Sequence, residues 1–166
     1  MAKITLKGNT IETAGNLPNL QTKAPAFELT NAKLETKSLK DFEGKTVILN
    51  IFPSIDTGVC AASVRTFNQK ATSVENTVVL SVSKDLPFAL SRFCAAEGIE
   101  NVETLSDFKS QDFGNNYGVT ITTGPLAGLH SRAIVVIDPK GTITYTEQVP
   151  EIGQEPDYEK ALQAIK

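Results

Sequence analysis

Two cysteines and one histidine in 166 residues leave little for metal or disulfide chemistry. They cannot supply the Cys/His quartet of a structural zinc site or the cysteine framework of a small disulfide scaffold. Neither a metal nor a cofactor is expected. No apolar run approaches membrane-spanning length, and the opening MAKITLKG alternates instead of forming a signal-peptide core. A soluble, cytoplasmic protein with no membrane partner is the expectation. A formal net charge of −3 gives no basic footprint for nucleic acid. The chain has no Cys-x-x-Cys, which counts against a thioredoxin-like disulfide exchanger. Internal repeats and low-complexity tracts are also missing. At this length one domain, residues 1–166, can bury a substantial core unaided.

The stretch that organises the rest runs from Thr46 to Asn68. Thr46-Val47-Ile48-Leu49-Asn50-Ile51-Phe52 is apolar and β-branched, as a buried strand is, and Pro53 cannot continue a central ladder. After Ser54-Ile55-Asp56, the residues Cys60, Val64, Phe67 and Ala71 recur at helical spacing, so a helix starts near Thr57. With Thr57 as N-cap, its hydroxyl would accept a bond from the Cys60 N–H. Free N–H groups and the positive end of the helix dipole would then favour a thiolate at Cys60. Helix position alone leaves a second reading open, because Cys60 also lies on the apolar stripe and buried cysteines are common.

Around this unit the chain alternates. Ile4–Lys7 and Thr10–Thr13 flank Gly8-Asn9 as a β-hairpin, Phe27–Thr30 is a short strand, and Ser38–Lys45 holds at most one helical turn. Val78–Ser83 is a second core strand, completing β-α-β. A helix follows, with Asp85 as N-cap, Pro87 in its first turn and Gly98 at its end. It carries Cys94 on the face of Leu90, at least partly buried. Then come a strand at Val102–Leu105, a helix around Ser110–Tyr117, a Gly/Thr-rich loop from Gly118 to His130, an antiparallel pair (Ala133–Ile137 and Thr142–Thr146) and an amphipathic helix over Pro156–Ile165. This order describes an α/β, thioredoxin-like fold with an added N-terminal β-hairpin.

Pro53, Thr57 and Cys60 form Pro-x-x-x-Thr-x-x-Cys, which resembles the active-site motif of peroxiredoxins. The fuller run PSIDTGVCAASVRTFN is similar to their thiol peroxidase branch. Asp85–Cys94 resembles the resolving-cysteine helix of that branch, and the resemblance extends over most of the chain. It implies a thiol-specific peroxidase reducing hydrogen peroxide and alkyl or lipid hydroperoxides. Cys60 would be the peroxidatic nucleophile that becomes a sulfenic acid. Cys94 would resolve it as an intrachain disulfide, to be reduced by thioredoxin, and the protein would be a homodimer. Thr57 and the amides near Cys60 would hold the peroxide, while Pro53 would shield the thiolate; read on its own, Pro53 is a plain strand terminator.

The site also needs a fixed cation. Arg65 sits five residues past Cys60, around the helix among Ser63, Thr66 and Gln69, so a solvated face suits it better. Arg132 begins a core strand that could adjoin the end of the Thr46–Phe52 strand, and it matches the second arginine of the peroxiredoxin pattern. The cation's role goes to Arg132. Ala95, where glycine often follows the resolving cysteine, and Ser81, where some relatives carry a third cysteine, are small departures. Two rivals stand beside this reading: a non-catalytic thioredoxin-fold interaction module, and a hydrolase using Cys60 with His130 as base.

Overall fold

The computed structural model describes residues 1–71 and 73–165. It opens with the hairpin, β1 (Lys3–Leu6) and β2 (Asn9–Glu12), in which Leu6 faces Asn9. That register makes Lys7-Gly8 the turn, one position earlier than the sequence predicts. Both residues take positive φ, 51° and 81°, as the hairpin turns that match strand twist require. Ile4 and Ile11 dock the hairpin by packing with Ile121 and Ile152.

Next come β3 (Glu28–Thr30), β4 (Thr36–Ser38), a 3-10 turn at Leu39–Phe42, β5 (Thr46–Ile51), α1 (Gly58–Ala71), β6 (Thr77–Ser83), α2 (Pro87–Glu97) and β7 (Glu103–Ser106). The chain continues with α3 (Asp112–Tyr117), β8 (Ala133–Ile137), β9 (Ile143–Gln148) and α4 (Tyr158–Gln163). Strand β4 was not expected, because Thr36-Lys37-Ser38 has no apolar residue and pairs only along the sheet edge with β3.

Seven strands form one mixed sheet in the order β4-β3-β7-β6-β5-β8-β9. β5, β6 and β7 run parallel at its centre, while β8 lies antiparallel to β5 and to β9. β5 and β8 are buried along their whole length, which is why both read as continuous apolar runs. One sheet face carries Ile48, Val79, Ile134 and Val136 against Cys60, Val64, Phe67, Leu90 and Ala161 from α1, α2 and α4. The other carries Val47, Leu49, Leu80 and Val135 against Phe27, Phe113 and Tyr117. The sheet is thus a rigid floor whose β5 and β6 ends feed α1 and α2.

The cap of α2 departs from expectation. Its N-cap is Leu86, in extended conformation with no side-chain bond, because the Asp85 carboxylate is engaged elsewhere. Gly98 does end the helix, at φ 66°, a left-handed position that glycine occupies without strain.

Candidate active site

β5 delivers the chain to the site. Phe52 still donates its N–H to the Val82 carbonyl at 3.1 Å, and the ladder ends at the buried Pro53. Thr57 then closes a turn, its N–H reaching the Ser54 carbonyl at 3.2 Å. The Thr57 hydroxyl donates to that same carbonyl at 3.0 Å. This corrects the expected cap, since the hydroxyl is spent backwards on the turn instead of on the Cys60 N–H. Ala61 N–H is the first to bond into the helix, to the Thr57 carbonyl at 3.0 Å. The amides of Gly58, Val59 and Cys60 lie ahead of it, where a helix has no acceptors of its own. Cys60 therefore sits in the first turn of α1, and it is 0 % exposed.

Antiparallel pairing puts Ala133 opposite Ile51, so Arg132 arrives beside the end of β5. Its guanidinium is 1 % exposed. Nε donates to the Ile152 carbonyl at 2.8 Å and Nη2 to the Cys60 Sγ at 3.2 Å. Nη1 has no partner among the described residues. No carboxylate there forms an ion pair with Arg132. An isolated buried cation is costly, and a hydrogen-bonded anion offsets that cost. The Cys60 sulfur is the group in contact that can become that anion.

The remaining sequence candidates separate. Thr57 and Pro53 both belong to the turn that presents Cys60. Arg65 is exposed, as expected, and engages Glu97 of α2 through Nε at 3.1 Å and Nη2 at 2.7 Å; it also lies 5.7 Å from the Phe93 ring centroid. His130 is fully buried but pairs with Asp107, Nε2 to Oδ2 at 2.9 Å, so the arrangement does not give Cys60 a histidine base. Cys94 is a free thiol, as is Cys60. It lines a cleft of about 550 Å³ with Asn31, Ser91, Ile99 and Thr104. Burial pushes the Cys94 thiol up, and a hydrogen bond with Thr104 pulls it partly back.

A family model described as Redoxin matches residues 20–162. The chain belongs to the Redoxin family. It is 58% identical to the thiol peroxidase of Mycobacterium tuberculosis over 165 residues, 99% of each chain. It is 52% identical to that of Corynebacterium glutamicum, again over 99% of each. A peroxiredoxin-like protein from Aquifex aeolicus superposes with a TM-score of 0.92 at 34% identity, covering 99% of this chain and 98% of that one. The fold of this Redoxin chain is thioredoxin-like α/β, and the resemblance to the thiol peroxidase branch holds.

Sequence reasoning missed two features of this Redoxin site. Ser63, expected on the solvated face, is fully buried. Its hydroxyl donates to the Cys60 carbonyl at 2.7 Å and accepts from Asn50 Nδ2 at 3.2 Å, tying the cysteine's own turn to the middle of β5. The available signal was Asn50 itself, a polar residue inside an apolar strand. Asp85, read as a cap, instead accepts from Ser54 Oγ at 2.8 Å, Ile55 N–H at 2.7 Å and Ser83 Oγ at 2.6 Å.

Proposed function

We propose that this chain, acting as one catalytic domain, reduces hydrogen peroxide and organic hydroperoxides through Cys60. The chain is an oxidoreductase of the peroxidase type, as its 58% identical relative is named. The observation that carries the assignment to Cys60 is the contact between its sulfur and Arg132, a buried cation without an ion-paired carboxylate among the described residues.

The thiolate attacks one peroxide oxygen in line. A sulfur–oxygen bond forms as the O–O bond breaks, and the other oxygen leaves as hydroxide or alkoxide and takes up a proton. Cys60 is oxidised to a sulfenic acid and the peroxide is reduced to water or an alcohol. The free Arg132 Nη1 and the open amides of Gly58 to Cys60 are suited to hold the oxygens as charge develops. Thr57 shapes the turn they come from, and buried Pro53 keeps water off the sulfur.

Cys94 then attacks the Cys60 sulfur and water leaves, giving an intrachain disulfide that a thioredoxin-type dithiol reduces. This cycle suits a reducing, cytoplasmic setting, where thiol reductants are at hand. Exposed Leu86 and Phe88 at the start of α2, and Phe108 after β7, support a homodimer packed near the site. Peroxide consumption coupled to thioredoxin and its reductase tests the reading. Turnover should be present in the natural chain and absent in Cys60→Ser; a serine variant with natural activity would refute it.

A further inference from the structure

The turn from Ser54 to Thr57 sets where α1 begins and therefore where Cys60 meets Arg132. Its internal bonds return to Ser54: Thr57 N–H and hydroxyl both reach the Ser54 carbonyl, and Asp56 N–H reaches Ser54 Oγ at 3.1 Å. Ile55 packs into the core beside Phe52 and Cys60, and the polar tie from this turn to the rest of the fold is Asp85. One carboxylate oxygen accepts from Ser54 Oγ at 2.8 Å; the other accepts from Ile55 N–H at 2.7 Å and from Ser83 Oγ at 2.6 Å. The Asp85 main chain is fixed in turn, its carbonyl accepting from the Ser106 hydroxyl on β7. The other polar side-chain tie to the turn among the described residues is an ion pair between Asp56 and Arg92 at 3.8 Å, with both side chains over 70% exposed at 71% and 73%. Such a pair holds little, whereas Asp85 gathers three short hydrogen bonds on a partly buried carboxyl group.

Asp85 also stands between the end of β6 at Ser83 and the start of α2 at Pro87. The same carboxylate thus joins the segment that presents Cys60 to the root of the helix that carries Cys94. We propose that Asp85 is a positioning residue: it clasps the Ser54-Ile55 turn so that Cys60 stays against Arg132, and this clasp opens before Cys94 reaches Cys60. The proposal rests on the assignment of Cys60 and Cys94 above. It gives the two chemical steps opposite dependence on one side chain. A closed clasp favours attack on peroxide, which needs Cys60, Arg132 and the α1 amides in register. An open clasp favours resolution, which needs the two segments to move apart and re-form around a sulfur–sulfur bond.

The test resolves the two steps by rapid mixing of the reduced chain with hydrogen peroxide. Asp85→Asn keeps the side chain's volume but loses the carboxylate and turns an N–H₂ towards donors. It should slow sulfenic acid formation about ten-fold or more, leave disulfide formation as fast or faster, and lower over-oxidation of Cys60 at excess peroxide. Ser54→Ala, which removes only the turn's side of the clasp, should reproduce part of the loss. The double variant should be no slower than Asp85→Asn alone, since both changes break one contact. A natural peroxide rate in Ser54→Ala and Asp85→Asn would overturn the clasp. So would losses that multiply in the double variant, or both steps slowing together in step with a lowered melting temperature. Should Asp85→Asn not fold, the rates of Ser54→Ala decide alone. An active Cys60→Ser would instead break the underlying reading, whatever the clasp variants do.

Discussion

The two cysteines sit on neighbouring helices in opposite surroundings. Cys60 is sealed in the core, in the first turn of α1, 3.2 Å from a buried guanidinium. Cys94 is half-buried on the far part of α2, over an open cleft, where burial pushes its thiol up and only Thr104 acts the other way. The first sulfur touches a fixed, buried cation; at the second, burial works against the charged form. That difference divides the labour. On the proposed reading, Cys60 is fixed beforehand for attack on peroxide, and Cys94 waits apart until the fold opens between them.

The largest expected effect breaks the pair itself. Cys94→Ser should keep a first turnover within about two-fold of the natural rate, because it leaves the Cys60 surroundings intact. It should lose thioredoxin-coupled turnover and accumulate over-oxidised Cys60, seen by mass spectrometry. Sustained cycling would remove Cys94 from the scheme. Removing the cation comes next. Arg132→Met, similar in reach but uncharged, should lower the single-turnover rate with peroxide about 100-fold, and rapid-quench product analysis reads this directly. Arg65→Met should change the same rate by no more than about two-fold, since its ion pair with Glu97 is exposed and away from the sulfur. The reverse order would move the cation's role to Arg65.

A smaller effect sharpens the Cys94 side. The Cys94 thiol is raised by burial, so the native chain keeps that proton at pH values where the unfolded chain has released it. The sign follows: this group's contribution to stability falls as pH rises past the ordinary thiol range. In Cys60→Ser, alkylation of Cys94 should be slow at neutral pH and climb through alkaline pH further than in the unfolded chain. Identical pH profiles for folded and unfolded chains would contradict it. The smallest effect belongs to Ala95→Gly, at an exposed position of α2. It should speed disulfide formation slightly by loosening the helix, without touching the peroxide step.

Much of this was legible in the sequence because the decisive signals are local. The unbroken apolar run of β5, the stop at Pro53 and the spacing of Cys60, Val64 and Phe67 define strand, turn and helix without tertiary knowledge. That Arg132 would stand beside the end of β5 and Arg65 on an exposed helix face followed from strand register and helix spacing; giving Arg132 the cation's role drew also on the family resemblance. The hairpin turn was misread by one residue, because glycine marked it while Lys7 supplied the second positive φ. The clasp and the Ser63 bond were not legible. Aspartate before a helix looks like a cap in sequence, and only the folded β5 and β6 ends bring Ser54 within reach of Asp85. Ser63 looks solvated on a helical wheel, and only the sheet floor beneath α1 offers Asn50 to it.

The central claim is that Cys60, in contact with Arg132, and not Cys94, is the sulfur that meets peroxide first. Mass spectrometry of reduced Cys60→Ser and Cys94→Ser, each quenched after mixing with one equivalent of hydrogen peroxide, tests it directly. Cys94→Ser should carry a sulfenic acid on Cys60, and Cys60→Ser should keep Cys94 as an unoxidised thiol. Rapid oxidation of Cys94 in Cys60→Ser, or none of Cys60 in Cys94→Ser, would contradict the account.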